Sequence, residues 1–177
     1  MDEDVILEEE AIAEERAAEA AQLGAAILDR PIRQVATMKP AVCVAPGASV
    51  RAAIELMNRS GVGCVLVAEK SRLLGIFTER DVMTRVVAPN IDIDKTGVEM
   101  VMSRDPESLS PDDRVSYALN KMSMGGFRRI PLVDEAGGLA GVITMRNVVD
   151  YLVDLFPNEV LNLPPEPRQS ARAREGA

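Results

Sequence analysis

The sequence predicts a mixed α/β (α+β) fold in which two β-α-β-β-α repeats pack as a pseudo-twofold pair, with a helical arm at the N-terminus. Three observations predict this fold. The run GIFTERD (Gly75–Asp81) recurs as GVITMRN (Gly141–Asn147), and an internal repeat of this kind determines the architecture. The same order of strand and helix patterns precedes both runs. A unit of about 60 residues buries too little surface alone, so two units should share a core.

The first segment, residues 1–29, is predicted to be an acidic helical arm. Residues 3–28 are rich in Ala, Glu, Leu and Ile and contain no Pro, which favours a helix. Small residues fall near one face and would allow close packing against another helix: Ala13, Ala17, Ala20, Ala21 and Gly24. The alternative is an exposed arm that is helical through propensity alone.

The first copy is predicted to occupy residues 30–90. A short helical segment at 31–38 should precede a strand at 42–44 and a Pro46-Gly47 turn. Ser49 is placed to cap a helix that runs to about Arg59 and ends at Gly61. Its apolar face should carry Val50, Ala53, Ile54 and Met57. Strands at 64–67 and 73–77 follow, joined by a polar turn, and Thr78 should open a helix to about Val87.

The second copy is predicted to occupy residues 91–156 in the same order. A short helix precedes Met102, a short strand lies at 108–109, and a helix begins at Pro111-Asp112-Asp113. Strands at 129–133 and 139–143 and a helix from Met145 to about Phe156 complete it. Pro131 is tolerable in a strand only at an end or an edge. Residues 157–177 hold four of the eleven prolines without apolar periodicity, which predicts a disordered tail.

Composition argues against catalysis. His is absent, which removes the commonest general base and metal ligand. Cys43 and Cys64 lie in apolar strand-like runs without further ligands at metal spacing, so we expect reduced, buried thiols and no metal site. No Ser-His, Cys-His, phosphate-loop or zinc pattern occurs in the sequence. We therefore expect no enzyme and no required cofactor.

The net charge of −8 is carried by the arm. Residues 1–29 hold ten acidic residues and one Arg, whereas residues 30–156 hold fifteen acidic and sixteen basic residues. No basic stripe is present, so nucleic-acid binding is not expected. No apolar run of 18 residues and no signal-like N-terminus occurs, so neither membrane insertion nor secretion is expected, and a cytoplasmic protein is predicted.

Several ordered motifs resemble those of the CBS-domain family, whose tandem pair is called a Bateman module. They are the Gly75–Asp81 run, the run IPLVD (Ile130–Asp134), and the methionines Met38 and Met102 before the first strands. The resemblance covers about residues 31–154 and excludes the arm and the tail. It implies a regulatory module that senses AMP, ADP, ATP, NAD(H) or S-adenosylmethionine in clefts between the copies. It also implies that the Asp binds ribose, that the Thr lies near ribose and phosphate, and that basic residues of the partner copy hold phosphate.

The residues themselves support two interpretations of the motif. Thr78 with Asp81 three positions later can form a capping box that needs no ligand. The same helix start also suits an anion, and a carboxylate suits a vicinal diol. The equivalent pair Thr144 and Asn147 would bind hydroxyls without charge assistance.

A second asymmetry appears when the copies are aligned. Arg128 and Arg129 stand where the first copy has Gly63 and Cys64. Such a pair is either a solvated strand end or a phosphate site. Combined with the resemblance, the residues predict one competent nucleotide cleft, lined by Ile76, Thr78, Arg80, Asp81, Met102, Phe127, Arg128 and Arg129. A weaker cleft would place Thr144 and Asn147 opposite Gly63 and Cys64.

Two functions remain open at this point. The first is an adenine-nucleotide sensor that signals to an unknown protein partner or through its oligomeric state. The second is a dimeric interaction scaffold without a physiological small ligand. The family resemblance implies a homodimer in either case, and the two arginines favour a phosphate over a sulfonium ligand.

Overall fold

The computed structural model describes residues 3–35 and 40–157 and confirms the mixed α+β pair of repeats. The helices are α1 (Glu3–Leu28), α2 (Ile32–Val35), α3 (Val50–Ser60), α4 (Glu79–Asp81), α5 (Val115–Gly125) and α6 (Met145–Leu155). The strands are β1 (Cys43–Val44), β2 (Cys64–Glu69), β3 (Arg72–Thr78), β4 (Ser103–Arg104), β5 (Arg129–Val133) and β6 (Leu139–Thr144). A π-helical segment, Val82–Val87, continues α4, and a 3₁₀ turn, Val98–Met100, precedes β4.

Strand register establishes how the two copies correspond. In the first copy the antiparallel pair β2–β3 places Cys64 opposite Thr78. In the second copy β5–β6 places Arg129 opposite Thr144, and both pairs carry a register shift near their far ends. Cys64 and Arg129 are therefore equivalent positions, as the sequence alignment predicts. The four-stranded sheet has the order β1-β2-β3-β4, in which β4 comes from the range predicted for the second copy, and the other sheet is the pair β5-β6.

The two central strands of the four-stranded sheet, β2 and β3, have buried residues on both faces. Val65, Val67 and Phe77 pack under α3, whereas Leu66 and Ile76 point to the other side of the sheet and pack against Leu139 and Val142 of β6. Alternate residues of a strand face opposite sides, so one strand supplies both its own copy's core and the contact between copies. The pair of repeats thus shares a central apolar layer.

The segment that precedes each copy, called its leading segment, packs into the core of the other copy. Ile32 of α2 is fully buried in the second copy's core with Val115, Ile130 and Leu132. Reciprocally, Val98 is fully buried in the first copy's core, and its N–H donates to the Ala48 carbonyl at 2.8 Å. The boundaries predicted at residues 29/30 and 90/91 remain predictions, but the packing of the chain crosses both of them.

Pro131 explains why the second copy has a smaller sheet. Its equivalent in the first copy, Leu66, donates its N–H to the Val42 carbonyl at 2.9 Å and so holds β1 against β2. Proline has no N–H, and the leading strand predicted at 108–109 is reduced to a single bridge between Leu109 and Leu132.

Three other features differ from what the sequence predicts. The helix predicted to begin at Pro111 begins at Val115, because Asp113 Oδ2 accepts the Ser110 N–H at 2.7 Å and closes a turn first. The helix predicted from Thr78 to about Val87 is present over that span, but only Glu79–Asp81 is α-helical and Val82–Val87 is π-helical. Four of these six π-helical residues are β-branched, which lowers the propensity for a regular α-helix. The short strand β4, which pairs with β3, was not predicted.

The arm is helical, as expected, and its end is fixed to the second copy. The Tyr151 hydroxyl donates to the Ile27 carbonyl at 3.3 Å, and Arg114 Nη1 lies 2.7 Å from Asp29 Oδ1. Of the small residues predicted to share a face, Ala17 and Ala21 are exposed. Met38 and residues 158–177, most of the predicted tail, lie outside the described residues. Among the described helices, none combines the length and apolar character needed to cross a bilayer.

Candidate functional site

A capping box positions Asp81 at the start of α4. The N–H and the hydroxyl of Thr78 donate to Asp81 Oδ2 at 2.9 and 2.7 Å, and the Asp81 N–H donates back to Thr78 Oγ1 at 3.3 Å. The structure therefore confirms the local, ligand-independent role of the motif. Asp81 is the buried charged residue of the described core, with 6% of its surface exposed.

The second carboxylate oxygen retains capacity for a ligand. Asp81 Oδ1 lies 3.4 Å from Arg85 Nε and takes no part in the capping box. A carboxylate oxygen accepts about two hydrogen bonds, so Oδ1 can receive a further hydroxyl proton. Arg85 is itself fixed, because its Nη1 donates to the carbonyls of Val101 and Met102 at 3.2 and 2.6 Å.

The wall that faces Asp81 comes from the second copy. Phe127, Arg128 and Arg129 lead into β5 and line the same cleft, whose volume is about 580 Å³. This volume lies within the usual range for small-molecule sites. The Phe127 ring lies directly over Gly125, where any larger residue would collide with it. Asp81 and Arg128 thus open onto one cavity between the copies rather than onto separate surfaces.

Arg129 crosses from the second copy to the first. Its Nη2 lies 3.0 Å from Glu79 Oε2, and its guanidinium covers Gly63, where any side chain would collide with it. The neighbouring Cys64 is buried, which raises the pKa of its thiol to about 11, while the charge of Arg129 acts to lower that pKa. The thiolate, which is the nucleophilic form of Cys64, is therefore disfavoured at neutral pH.

The cleft contains more unpaired cations than unpaired anions. Of its three carboxylates, Glu79 pairs with Arg129, Asp81 with Arg85, and Glu107 with Lys121. Among the side chains described over residues 14–35 and 40–157, Arg80 and Arg128 have no carboxylate within 4.0 Å. Arg80 instead donates a long bond of 3.4 Å to the Gly126 carbonyl. Two guanidinium groups therefore remain available to an anion.

The structure brings most of the predicted site together. Seven of the eight residues predicted for the competent cleft line it: Ile76, Thr78, Arg80, Asp81, Phe127, Arg128 and Arg129. Met102 does not line it. It is 7% exposed, belongs to the first copy's core, and its sulfur packs against Gly75.

Sequence reasoning missed eight residues of the cleft. They are Glu79, Thr84, Arg85, Ser103, Pro106, Glu107, Gly125 and Pro131. Arg85 could have been found, because it stands four residues after Asp81 and so lies on the same helical face. Ser103 could not have been found, because it reaches the cleft only through the unpredicted pairing of β4 with β3.

The second motif forms the same cap with a different chemical outcome. Asn147 Oδ1 accepts the N–H and the hydroxyl of Thr144 at 2.9 and 2.7 Å. Both acceptor sites of that oxygen are occupied, so only the Nδ2 donors remain for a ligand. At the position where Asp81 keeps an acceptor, Asn147 therefore offers a ligand only an uncharged donor. Gly63, predicted to face this motif across a weaker cleft, is instead covered by Arg129.

Sequence comparisons agree with this architecture. The family model described as the CBS domain matches residues 32–88 and 98–154. An uncharacterized 17.7 kDa protein of Acidianus ambivalens is 34% identical over 125 residues, which are 70% of this chain and 74% of that protein. The meiotically up-regulated gene 70 protein of Schizosaccharomyces pombe is 38% identical over 97 residues, which are 55% of this chain but only 13% of that protein.

Solved structures share the fold. An uncharacterized conserved protein from Pyrococcus horikoshii has a TM-score of 0.64 and 27% identity, covering 70% of this chain and 92% of its own. CBSX2, solved in complex with AMP, has a TM-score of 0.60 and 23% identity, covering 72% of this chain and 98% of its own.

Proposed function

This chain belongs to the CBS-domain family, and from that premise we propose that it is a regulatory module which binds an adenine nucleotide in the cleft between its copies. One observation carries the proposal. Asp81 of the first copy and Arg128 of the second line a single cavity of about 580 Å³. An acceptor and a cation on opposite walls suit a ligand with hydroxyl groups at one end and phosphate at the other.

Each part of the nucleotide has a candidate partner. The ribose hydroxyls would donate to Asp81 Oδ1, which is outside the capping box. The phosphate would bind Arg128 and Arg80, the guanidinium groups of the cleft that have no carboxylate partner among the described side chains. The adenine would pack against Ile76 and the half-buried ring of Phe127. Ligands bound by structural neighbours, such as AMP in CBSX2, are consistent with this assignment.

The direct test is a thermal melt of the chain with AMP, ADP, ATP, NADH and S-adenosylmethionine. A ligand at free concentration L that binds the native state stabilises it by RT ln(1 + L/Kd), so the melting midpoint rises with the logarithm of the ligand concentration once this exceeds Kd. We expect the phosphate-bearing nucleotides to raise the midpoint and S-adenosylmethionine, which carries a sulfonium, to have little effect. If no nucleotide shifts the midpoint at millimolar concentration, the proposal fails.

The output of this module would be a protein partner or a change of oligomeric state. A ligand can shift such an equilibrium only if it binds the two states with different affinity. We propose a homodimer, and light scattering with and without AMP measures whether the mass is that of two chains and whether the ligand changes it.

An interaction scaffold without a ligand is the second candidate. The observation that favours it is a set of exposed apolar side chains on the helical surface: Met83, Tyr117, Met124 and Val149 are each at least half exposed. A flat response to the nucleotide panel together with a stable dimer would support this alternative over the sensor.

A further inference from the structure

An ion pair in the cleft, Glu79 with Arg129, bears on how many phosphate groups a ligand can carry. This inference rests on the proposed function. Glu79 is one of the three carboxylates of the cleft and the one that pairs with Arg129. Its carboxylate lies 3.0 Å from Arg129 Nη2, and both side chains line the cleft. The glycine at position 63 provides the space in which the Arg129 guanidinium and Glu79 meet. The Glu79 N–H also donates to the Gly63 carbonyl at 3.2 Å, which holds the two segments together.

The pairing changes the charge that a ligand encounters. Four arginines line the cleft, but Arg85 is paired with Asp81 and Arg129 is paired with Glu79. Arg80 and Arg128 remain, so the unpaired positive charge matches the two negative charges of one phosphate group at neutral pH. A second or third phosphate would add further negative charge near the Glu79 carboxylate, and like charges at short range repel.

We propose that Glu79 is a specificity-determining residue, which occupies Arg129 and so selects nucleoside monophosphates over diphosphates and triphosphates. A ligand with more phosphates must either displace Glu79 from Arg129 or leave its outer phosphates unpaired. The side chain of Glu79 is 67% exposed and that of Arg129 is 29% exposed, so a substitution at Glu79 should not disturb the core.

Calorimetric titration of AMP and ATP into the wild type and Glu79→Gln tests the proposal at physiological ionic strength. We expect the wild type to bind AMP more tightly than ATP. In Glu79→Gln, ATP affinity should rise by about five- to tenfold, since one charge-assisted contact of a partly exposed group is gained, and AMP affinity should change less than about twofold. Thermal melts without ligand verify that the variant folds.

Two further variants make the test specific. Glu107→Gln removes the same charge from the same cleft but frees Lys121, which does not line it, so the ratio of AMP to ATP affinity should hardly change. In an Arg129→Gln background, Glu79→Gln should change that ratio less than it does in the wild type, because only charge repulsion is relieved and no guanidinium is freed.

The failures are distinguishable. If wild type and Glu79→Gln bind both nucleotides with the same ratio, the role of Glu79 is overturned and the proposed function stands. The same conclusion follows if Glu107→Gln raises ATP affinity as much as Glu79→Gln. If neither protein binds AMP or ATP, both proposals are overturned.

Discussion

The two copies build the same capping box and leave different atoms free. In the first copy Asp81 commits one oxygen to Thr78 and keeps Oδ1, an acceptor with negative charge, outside the box. In the second copy Asn147 commits its single oxygen in the same way and keeps an uncharged amide donor. The two caps therefore have the same local structure but present different groups to a ligand, a charged acceptor in the first copy and a neutral donor in the second.

The equivalent strands β2 and β5, with the residue before each, also differ in the charge that they present to the clefts. Arg128, Arg129 and Pro131 of the second copy stand where the first copy has Gly63, Cys64 and Leu66. Arg128 and Arg129 both add positive charge to one cleft, and the Arg129 guanidinium also covers Gly63. One cleft therefore combines an acidic acceptor with guanidinium groups, and we expect the functional asymmetry of the pair to follow from these few positions.

The largest effect is expected from exchanging the free atoms of the two caps. Asp81→Asn should retain the capping box, as Asn147 does, but lower AMP affinity by about 1–3 kcal/mol because a charged acceptor is lost. Asp81→Ala should lose affinity on the same scale and also lose the cap. Calorimetric titration measures the affinity, and a thermal melt separates cap loss from ligand loss.

The matched controls are Asn147→Asp and Asn147→Ala. They alter the equivalent cap of the second copy and should change AMP affinity in the first cleft by less than about 0.5 kcal/mol, as expected for independent sites. Equal losses at positions 81 and 147 would remove the asymmetry between the clefts.

Thiol reactivity tests the environment that Arg129 creates on the first copy. Because burial raises the pKa of Cys64 from 9.0 to about 11, its thiolate fraction at pH 8 should be about a hundredfold below that of an unperturbed thiol. Alkylation by iodoacetamide, read by peptide mass spectrometry, should therefore be slow at pH 8 and rise with pH until about 11. The sequence-based prediction of a buried thiol is wrong for Cys43, which is exposed, so Cys43 serves as the internal control and should react first.

The direction of the charge effect is also testable at this thiol. The positive charge of Arg129 stabilises the thiolate, so Arg129→Gln should raise the pKa of Cys64 further and slow its alkylation. Faster alkylation in this variant would show that Arg129 acts mainly by shielding the thiol from solvent.

A smaller effect is expected from Arg128→Gln. Removing this exposed guanidinium should lower AMP affinity by about 1 kcal/mol and leave adenosine affinity unchanged, because only the phosphate contact is lost. Arg146→Gln, which removes an exposed Arg next to the second motif, is the control and should leave both affinities as they are. A loss of adenosine affinity in Arg128→Gln would assign this residue to the nucleoside instead.

The smallest effect is expected at Pro131. Pro131→Leu restores the N–H present at Leu66 of the first copy, and one added hydrogen bond of about 0.5–1.5 kcal/mol is offset by the lost rigidity of proline, about 0.4–1 kcal/mol. Urea denaturation should show an unfolding free energy within about 0.5 kcal/mol of the wild type. Hydrogen exchange should nevertheless show protection of the new amide. An unprotected amide would mean that proline is not the cause of the shortened sheet.

Local sequence signals predicted most of the fold because they are physically local. Ser49 caps α3 and Gly61 ends it at a φ of 60°, a left-handed conformation that glycine adopts readily. The strand Arg129–Val133 was predicted at its observed bounds. Short-range capping, turn and alternation patterns are sufficient for such elements.

What the sequence did not predict depends on contacts far apart in the chain. The exchange of Ile32 and Val98 between cores leaves no local pattern, since both residues are simply apolar. Met102 was assigned to the site from its place before a strand, but Gly75 leaves room for its sulfur, and the side chain turns into the core instead. The Glu79–Arg129 pair joins residues fifty positions apart and needed the tertiary structure.

Because the leading segments are exchanged, the arm is anchored to the copy that does not directly follow it in the chain. Because α1 runs almost directly into Ile32, a force or a binding partner that displaces the arm acts on the packing of the half that bears Arg128. The acidic helix is thus attached to the second copy, which supplies the cationic wall of the cleft, and not to the first copy, which follows it in the chain.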